Sequence, residues 1–253
     1  MASLPLRRAR WCGKNLVLLE EVDSTNTYLK QGDFPDGTAV IALRQTAGKG
    51  RTGRVWTGAE PGQGLYLSVL FHSMQIEDMG FLPLLCGLAV AKTLGRGAAI
   101  KWPNDLLIGT QKVCGILCES RIEGDRISAV CGIGLNLTQP REYFEQNDLP
   151  HGTSLLLSCG EKRTPLQAAA MILDELEPML EQYRAEGFSP FLAEYSRRCI
   201  TLGRDVLVLR QGDSAEAKAI SVSDDGSLIC EKDGETFVVR AGEASVRGLY
   251  GYV

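Results

Sequence analysis

A short segment rich in glycine and basic residues has the composition of an anion-binding loop. It runs from residue 44 to residue 56 and reads Arg-Gln-Thr-Ala-Gly-Lys-Gly-Arg-Thr-Gly-Arg-Val-Trp. It contains no acidic residue and four cations, which are Arg44, Lys49, Arg51 and Arg54. Like charges this close repel one another, and because the whole chain has a formal net charge of -4, the cluster indicates a bound anion. The glycines let backbone N–H groups approach such an anion.

The glycine spacing of this loop matches two known phosphate-binding patterns only in part. Gly48, Gly50 and Gly53 have the spacing of the dinucleotide fingerprint, which requires a helix to begin in the loop. The chain continues instead with Thr-Gly-Ala-Glu-Pro-Gly-Gln-Gly, which is not compatible with a helix. The P-loop pattern fails because Arg54-Val55 stands where Lys-Ser/Thr is required. A solvated basic loop is the alternative to an anion site.

Two further polar motifs follow short apolar segments. Lys101 begins Lys-Trp-Pro-Asn-Asp at the end of an expected strand, where an ammonium group can meet a phosphate. A lysine that extends into solvent is the alternative. In Gly-Ile-Gly-Leu-Asn, which ends at Asn136, the glycines permit close approach of a ligand and the amide offers a donor and an acceptor. A β-bulge with a turn asparagine explains this second motif equally well.

Short strands and three helices are expected to position these motifs. The apolar patterns predict strands at 16–20, 38–43, 65–71 and 98–101, a hairpin of 113–120 with 126–131, and a buried helix at 79–95. Asp23 or Ser24 is suited to cap a helix that begins near the polar residues at 24–26. Thr164 followed by Pro165 begins a second long helix, in which Pro178 predicts a kink or a break.

The pattern changes after about residue 203 to short strands separated by tight turns. The strands are expected at 206–209, 217–222, 227–231 and 236–239, with Asp-Gly turns at 224–226 and 232–234. This spacing predicts a small β-barrel, and with it a division into domains at 1–200 and 201–253.

The order and spacing of five motifs resemble those of the biotin–protein ligase family. The motifs are Ser-Thr-Asn at 24–26, the loop at 48–56, Lys-Trp-Pro-Asn-Asp at 101–105, Lys-Val-Cys-Gly-Ile-Leu at 112–117 and Gly-Ile-Gly-Leu-Asn at 132–136. The second long helix and the C-terminal strands match more weakly. The resemblance implies an α+β fold, with a mixed central sheet and helices packed on one side, similar to class II aminoacyl-tRNA synthetase cores. It also implies a small SH3-like C-terminal β-barrel.

The resemblance implies ATP-dependent activation of biotin to biotinyl-5'-AMP and its transfer to a lysine of a biotin carboxyl carrier domain. Mg²⁺ would accompany ATP, and no residue is assigned as a metal ligand. The catalytic candidates are Lys101 and Arg51. The biotin-binding candidates are Ser24, Thr25, Asn26, Gln45, Lys49, Gly50, Arg51, Lys101 and Gly115. The adenylate-binding candidates are Arg51, Arg54, Trp56, Asn104 and Asn136, and a local structural role is the alternative for the two asparagines.

This sequence departs from the family pattern at two places. Lys49 stands where the family commonly has arginine, which keeps the charge but loses the bidentate fork. Bifunctional members carry an N-terminal helix-turn-helix domain, for which the residues before Ser24 leave no room, so no nucleic-acid binding is expected.

The remaining features indicate a protein of the cytoplasm. The longest uncharged apolar stretch, 79–91, is shorter than the roughly 20 residues that cross a bilayer, so no membrane association is expected. Eight cysteines without a CxxC pair indicate reduced, mostly buried thiols. Arg7, Arg8 and Arg10 are expected to form a solvated tail. A homodimer is compatible with the sequence.

Two other functions would explain part of this pattern. A lipoate or octanoate ligase or transferase has a similar core, but its substrate lacks the ureido ring that would use the polar residues at 24–26. A non-catalytic biotin-binding module would need neither Lys101 nor the arginine pair Arg51 and Arg54.

Overall fold

A seven-stranded mixed sheet forms the larger part of the protein, which is described here by a computed structural model. The structure describes residues 3–95, 97–210, 213–241 and 245–248. The strands are β1 (Leu16–Val22), β2 (Ala39–Gln45), β3 (Gly64–Phe71), β4 (Ala98–Lys101), β5 (Asp105–Ile108), β6 (Gln111–Glu123) and β7 (Arg126–Asn136). Their order across the sheet is β1-β2-β3-β7-β6-β5-β4. Only β1 and β2 pair in parallel, so the expected mixed sheet is confirmed.

The helices cover both faces of this sheet unequally. They are α1 (Thr25–Gln31), α2 (Asp78–Leu94), α3 (Arg141–Gln146), α4 (Leu155–Cys159), α5 (Pro165–Glu186) and α6 (Ser189–Arg198). The long helices α2 and α5 pack with the sheet in the main core, as expected for a sheet with helices on one side. The short helix α1 covers part of the other face, where Leu29 packs with Val40, Leu70 and Val130. Side chains that alternate along each strand therefore reach both layers.

Helix α5 continues through the proline at which its sequence predicted a kink or a break. Thr164 forms the expected capping box with Gln167, because each side chain bonds the backbone N–H of the other residue. The expected break at Pro178 is wrong, since the helix continues through that residue to Glu186. Its buried side chains lie on both sides of the proline, so packing against the core holds the two halves in one helix.

The described residues between Asp205 and Gly248 form a second, antiparallel sheet of five strands. They are β8 (Asp205–Arg210), β9 (Asp213–Val222), β10 (Leu228–Lys232), β11 (Glu235–Val239) and β12 (Ser245–Gly248), in the order β11-β10-β9-β8-β12. This is the small C-terminal β domain that was expected, with β12 as a strand that the sequence analysis missed. The buried core is continuous between the two sheets, and Trp102 Nε1 donates to the carbonyl of Gly226. The domain boundary at residue 200 remains a prediction.

The N-terminal segment is held against α5, so the expectation of a solvated tail was wrong. The backbone N–H groups of residues 7, 8 and 9 donate to the carboxylate of Asp174 over 2.7–3.1 Å. Those of residues 10, 11 and 12 donate to Glu177 over 2.6–2.9 Å. The segment has no periodic apolar pattern, and its acceptors lie more than 160 residues away in the chain. Its local sequence therefore gives no sign of this arrangement.

None of the helices in the ranges that the structure describes is long and apolar enough to cross a membrane.

The Asp174 carboxylate generates a stability prediction. Burial raises its pKa, but the three N–H donors and Arg8 outweigh burial, so the pKa of Asp174 lies below its ordinary value. A depressed carboxyl pKa stabilises the fold above the unfolded pKa, about 4, and this stabilisation is lost as the pH falls through the lower, folded value. We expect Asp174→Ala to lower the free energy of unfolding by about 1–3 kcal/mol at pH 7, since buried donors lose their acceptor.

Urea unfolding of the wild type and the variant at pH 7 and pH 3 measures this effect. The difference between the two proteins should shrink at pH 3, because this pH lies below the unfolded pKa of about 4 and the carboxyl of the unfolded chain is then largely protonated. Glu175→Gln is the matched control, because Glu175 neighbours Asp174 but makes only partly exposed ion pairs with Arg8 and Lys92. Equal stabilities for the wild type and Asp174→Ala at pH 7 would contradict the assignment.

Candidate active site

The glycine-rich loop and the strand end at residue 101 meet at one cavity of about 470 Å³. The loop contributes residues 49–52 and 54–56, and the strand end contributes residues 101–105. The rest of the wall comes from the start of α1, from the facing parts of β6 and β7, from residues 246–248 of β12, and from Gln45, Tyr66, Leu67 and His151. The basic loop and the strand end at Lys101 therefore belong to a single site, as expected if both bind the same ligands.

The cavity is strongly electropositive. Six cations line it, which are Lys49, Arg51, Arg54, Lys101, Lys112 and Arg247. Asp105 is the one carboxylate among the described lining residues, and it lies 2.7 Å from Lys112 Nζ. Burial lowers the pKa of Lys101 to about 8, against the opposing effect of Asp105. Such an excess of positive charge suits a ligand that carries several negative charges.

The basic loop forms a tight turn rather than the start of a helix. Residues Arg51–Gly53 form a single 3-10 turn, in which Thr52 has a φ of 54°. The N–H of Gly50 donates to the carbonyl of Arg54 over 2.7 Å, and the N–H of Trp56 donates to Gly48 over 2.9 Å. The dinucleotide-binding geometry that the sequence argued against is thus absent from this described segment.

Arg51 connects three parts of the site. Its Nη1 donates to Asn104 Oδ1 over 3.0 Å, and its Nη2 donates to the carbonyl of Ala241 in the small domain. Asn104 in turn donates from Nδ2 to the carbonyl of Ile116 over 2.9 Å. The loop, the turn after β4 and the C-terminal sheet are therefore fixed relative to one another at this residue.

Trp56 lies on a floor made of two glycines. A Cβ atom built on Gly115 or Gly134 would lie 2.7 or 2.5 Å from the indole ring, which is too close for any other residue type. Lys112 Nζ lies 5.4 Å from the ring centroid, which is a cation–π distance. The sequence analysis named Gly115 but missed Lys112, although it stands in the same motif. Only the pairing of β6 with β5 shows that Lys112 reaches Asp105.

The start of α1 orients the polar end of the cavity. Ser24 is the N-cap of α1, and its Oγ accepts from the N–H of Thr27. The N–H and the Oγ1 of Thr25 both donate to Gln45 Oε1, over 2.8 and 3.0 Å. These contacts fix the carbonyl end of the Gln45 amide against α1, which aims its amino end away from that helix.

Asn26 is held by three partners on two strands, β6 and β3. Its Nδ2 donates to the carbonyl of Leu117 and to Glu119 Oε2, and its Oδ1 accepts from Ser68 Oγ over 2.6 Å. Glu119 also accepts from Lys30 over 2.6 Å. Both amide hydrogens of Asn26 are therefore used within the protein. The sequence analysis named neither Glu119 nor Ser68, because nothing in their local pattern distinguishes them from ordinary strand residues.

The structure separates the sequence-based candidates into two groups. Those that line the cavity are Ser24, Thr25, Asn26, Gln45, Lys49, Gly50, Arg51, Arg54, Trp56, Lys101, Asn104 and Gly115. Asn136 does not line it, since its Nδ2 donates to the carbonyl of Thr153 and its Oδ1 accepts from Gln139. The geometry thus favours the local structural role for Asn136. Arg247 of β12 lines the cavity and was missed, because its strand was not expected.

Comparisons with known proteins agree with this arrangement. The model of the biotin/lipoate A/B protein ligase family matches residues 18–136. The biotin–[acetyl-CoA-carboxylase] ligase of Mycobacterium tuberculosis is 34% identical over 244 residues, which are 91% of this chain and 88% of that protein. The bifunctional ligase/repressor BirA of Escherichia coli is 32% identical over 243 residues, which are 93% of this chain and 75% of that protein.

A solved structure is similar over nearly the same length. The biotin protein ligase from Aquifex aeolicus, in complex with biotin and ATP, superposes with a TM-score of 0.81 at 30% identity. The match covers 93% of this chain and 99% of that protein. The likeness therefore extends over both sheets rather than over the motifs alone.

The glycine floor generates a prediction about Trp56. We expect Gly134→Ala to displace the indole, because the new Cβ would lie 2.5 Å from Trp56 Cε2. The protein contains three tryptophans, so ¹⁹F NMR of 5-fluorotryptophan-labelled protein should show one shifted resonance, assigned with Trp56→Phe. Gly80→Ala is the control, because nothing lies within 4 Å of its added Cβ. An unchanged Trp56 resonance in a folded Gly134→Ala protein would show that the floor is not this tight.

Proposed function

The chain belongs to the biotin/lipoate A/B protein ligase family, and within it we infer that the protein is a biotin–protein ligase. It joins biotin to ATP as biotinyl-5'-AMP with release of pyrophosphate, and then transfers the biotinyl group to a lysine of a biotin carboxyl carrier domain with release of AMP. The observation that carries this inference is a single cavity in which six cations adjoin a cluster of ordered polar groups. Such a cavity fits a ligand pair with several phosphates, a carboxylate and a neutral polar ring.

The polar end of the cavity suits the ureido ring of biotin. A buried ureido group needs donors for its carbonyl and acceptors for its two N–H groups. Ser24, Thr25 and Gln45 provide hydroxyl and amide groups there. Thr25 and Gln45 are oriented by their contacts with each other, and Ser24 by the N–H of Thr27. Asn26 orients this end rather than supplying a free amide, since its hydrogens bond Leu117 and Glu119. Lys49 and Gly50 extend the same wall toward the phosphates.

The cationic end suits the triphosphate and the biotin carboxylate. Two anions must meet when the carboxylate oxygen attacks the α-phosphorus and the bond to the departing pyrophosphate breaks. Lys101 and Lys112, on either side of Asp105, can neutralise the carboxylate and the α-phosphate. Arg51, Arg54 and Arg247 are placed for the other phosphate oxygens. Trp56 provides an aromatic surface for the nucleotide or the bound vitamin, and Asn104 holds Arg51 in place.

Mg²⁺ fits this site as a companion of the nucleotide. Mg²⁺ is usually held by one or two carboxylates together with substrate phosphates, and it neutralises phosphate charge. Asp105 is the one described carboxylate of the lining, and Lys112 is already paired with it. ATP would therefore carry the ion into the cavity, with Asp105 as the protein group that can reach it.

The second step needs no covalent intermediate with the enzyme. The amine of the carrier lysine attacks the carbonyl carbon of the mixed anhydride, an amide bond forms, and AMP leaves. Until then the adenylate must be kept from water, which is a role for the glycine-rich loop and its contacts through Arg51. The absence of nucleic-acid binding, the cytoplasmic location and the homodimer remain predictions about this chain.

Detection of the adenylate tests the proposed function directly. Biotin and ATP are added to the protein, and mass spectrometry is used to look for biotinyl-5'-AMP and pyrophosphate. Lipoate in place of biotin is the matched control, since it offers a carboxylate without a ureido ring. Formation of lipoyl-AMP but not biotinyl-AMP would identify a lipoate ligase. Thermal stabilisation by biotin without any adenylate would identify a binding module.

Loss of the strand-end lysine should slow the first step. We expect Lys101→Ala to reduce the rate of adenylation on the order of 10²–10³-fold, the usual effect of removing one contact that stabilises transition-state charge. Biotin-dependent exchange of labelled pyrophosphate into ATP measures this step alone. Lys14→Ala, at an exposed position outside the cavity, should exchange at the wild-type rate. A near-normal rate for Lys101→Ala would remove Lys101 from the catalytic group.

Loss of the loop arginine should release the intermediate. We expect Arg51→Gly to form biotinyl-5'-AMP but to lose it to solvent, because both the Asn104 and the Ala241 contacts of the loop disappear. The measurement is biotinylation of an unrelated protein, such as serum albumin, mixed with the enzyme. Arg44→Gly is the control, since Arg44 lies in the same basic segment but outside the cavity and pairs with Glu21. Labelling no greater than that by the wild type would contradict this role of the loop.

A further inference from the structure

Three cysteine thiols lie together in the core. Their sulfur atoms, on Cys86 of α2, Cys118 of β6 and Cys131 of β7, are all within 4.8 Å of one another. Cys118 and Cys131 are direct partners across the two antiparallel strands. None of the three forms a disulfide. The sequence does not predict this cluster, because the three cysteines are separated by 32 and 13 residues and form no metal-binding motif.

The thiol cluster lies directly behind the cavity. Leu117 and Gly132 line the cavity, and they are the neighbours of Cys118 and Cys131. Because side chains alternate along a strand, the two cysteines point to the opposite face of the sheet. Helix α2 packs on that face, where a Cβ on Gly87 would lie 3.7 Å from Ile116. The same two strands therefore carry the wall of the cavity on one side and two of the three thiols on the other.

The spacing of the sulfurs suits a three-coordinate ion. Ligation at a sulfur bond length of about 2.3 Å puts three sulfurs about 4.0 Å apart around a planar ion and about 3.5 Å apart around an element whose lone pair makes the site pyramidal. The observed separations, at most 4.8 Å, need to contract by up to about 1.3 Å to reach the pyramidal value. The described residues add no fourth His, Cys, Asp or Glu to the cluster, whereas structural zinc takes four ligands. A soft element that is stable with three thiolate ligands fits this cluster better than zinc does.

The net charge of the bound complex favours one soft element over the others. Three thiolates with zinc(II) have a net charge of -1 and with copper(I) a net charge of -2, and a buried uncompensated charge is strongly unfavourable. Three thiolates with arsenic(III) are neutral. Hydrogen bonds from Cys118 and Cys131 lower the pKa of the Cys86 thiol, which reflects how closely the three groups contact one another.

We propose that Cys86, Cys118 and Cys131 form a trithiol site that binds one trivalent arsenic, supplied as arsenous acid. Three S–H and three As–O bonds break, and three As–S bonds and three molecules of water form. No electron is transferred and no net proton is released. Closing the three sulfurs around one atom draws β6 and β7 toward α2. Leu117 and Gly132 move with their neighbours, so occupation of the site weakens biotin binding.

Native mass spectrometry of the full chain with arsenite tests the site without relying on any enzymatic activity. We expect one adduct whose mass gain is that of one arsenic minus three hydrogens, which counts the As–S bonds. Cys86→Ala, Cys118→Ala and Cys131→Ala should each lose this adduct, because only two bonds remain. Cys159→Ala is the matched control, since Cys159 is an exposed free thiol outside the cluster, and it should retain the adduct. A wild type without the adduct, or a three-bond adduct in Cys118→Ala, would overturn the proposal.

X-ray absorption spectroscopy of arsenic bound to the wild type keeps the test independent of how well the variants fold. Three sulfur neighbours and no oxygen are expected around arsenic, and retained As–O bonds would overturn the trithiol site. The effect on biotin rests on the proposed function and is measured separately, by calorimetry. We expect the Kd for biotin to rise about tenfold in the arsenic-loaded wild type, a size usual for coupling between two sites. If the arsenic-loaded protein had an unchanged Kd for biotin, the coupling between the two sites would be refuted but the trithiol site would not. If the protein failed to bind biotin even without arsenite, the proposed function would be refuted.

Discussion

Repulsion among six cations around one carboxylate is the constraint on which the rest of the site depends. Lys101 and Lys112 flank Asp105, which pairs with Lys112 and partly offsets the effect of burial on the pKa of Lys101. Among the lining residues that the structure describes, Asp105 is the one carboxylate that offsets the charge of these cations when no ligand is bound. Rigid surroundings are therefore required, and two sheets with a continuous core supply them. When phosphates and a carboxylate enter, the excess charge that disfavours the empty site becomes the attraction that binds them.

Hydrogen bonds among side chains give the polar end a similar rigidity. Thr25 fixes the carbonyl end of Gln45, and Ser68 and Glu119 fix both ends of the Asn26 amide. Gly132 belongs to this arrangement, since a Cβ there would lie 2.4 Å from Asn26 Oδ1. Side chains that would contact the ligand are thus held in place by neighbouring side chains that would not contact it. Fewer side-chain degrees of freedom are therefore lost when the ligand binds.

Sequence reasoning predicted those parts of the protein that local patterns determine. Most of the strands, the capped helix α5, the basic loop and the lining residues that stand in motifs follow from periodicity, caps and motifs. Lys112 was missed because strand β5, which carries its partner Asp105, was not expected. Glu119 and Arg247 were missed because their roles arise only when segments far apart in the chain meet. The N-terminal segment was mistaken for a tail because its partners are two carboxylates on α5. Every residue except proline has a backbone N–H group, so hydrogen bonds from such groups to a remote carboxylate leave no pattern in the sequence of the donating segment.

Strands β6 and β7 contribute both to the binding cavity and to the core. Successive side chains on each strand point in turn toward the cavity and toward α2. Gly115, Leu117, Gly132 and Gly134 line the cavity, while Cys118 and Cys131 face α2. The cavity side has three glycines among these four positions because Trp56 and Asn26 pack directly on the backbone. Three of these four positions have no side chain that could absorb a displacement of the strand. Because the interior is closely packed, we expect a change in the packing of α2 against β6 and β7 to alter the shape of the binding cavity.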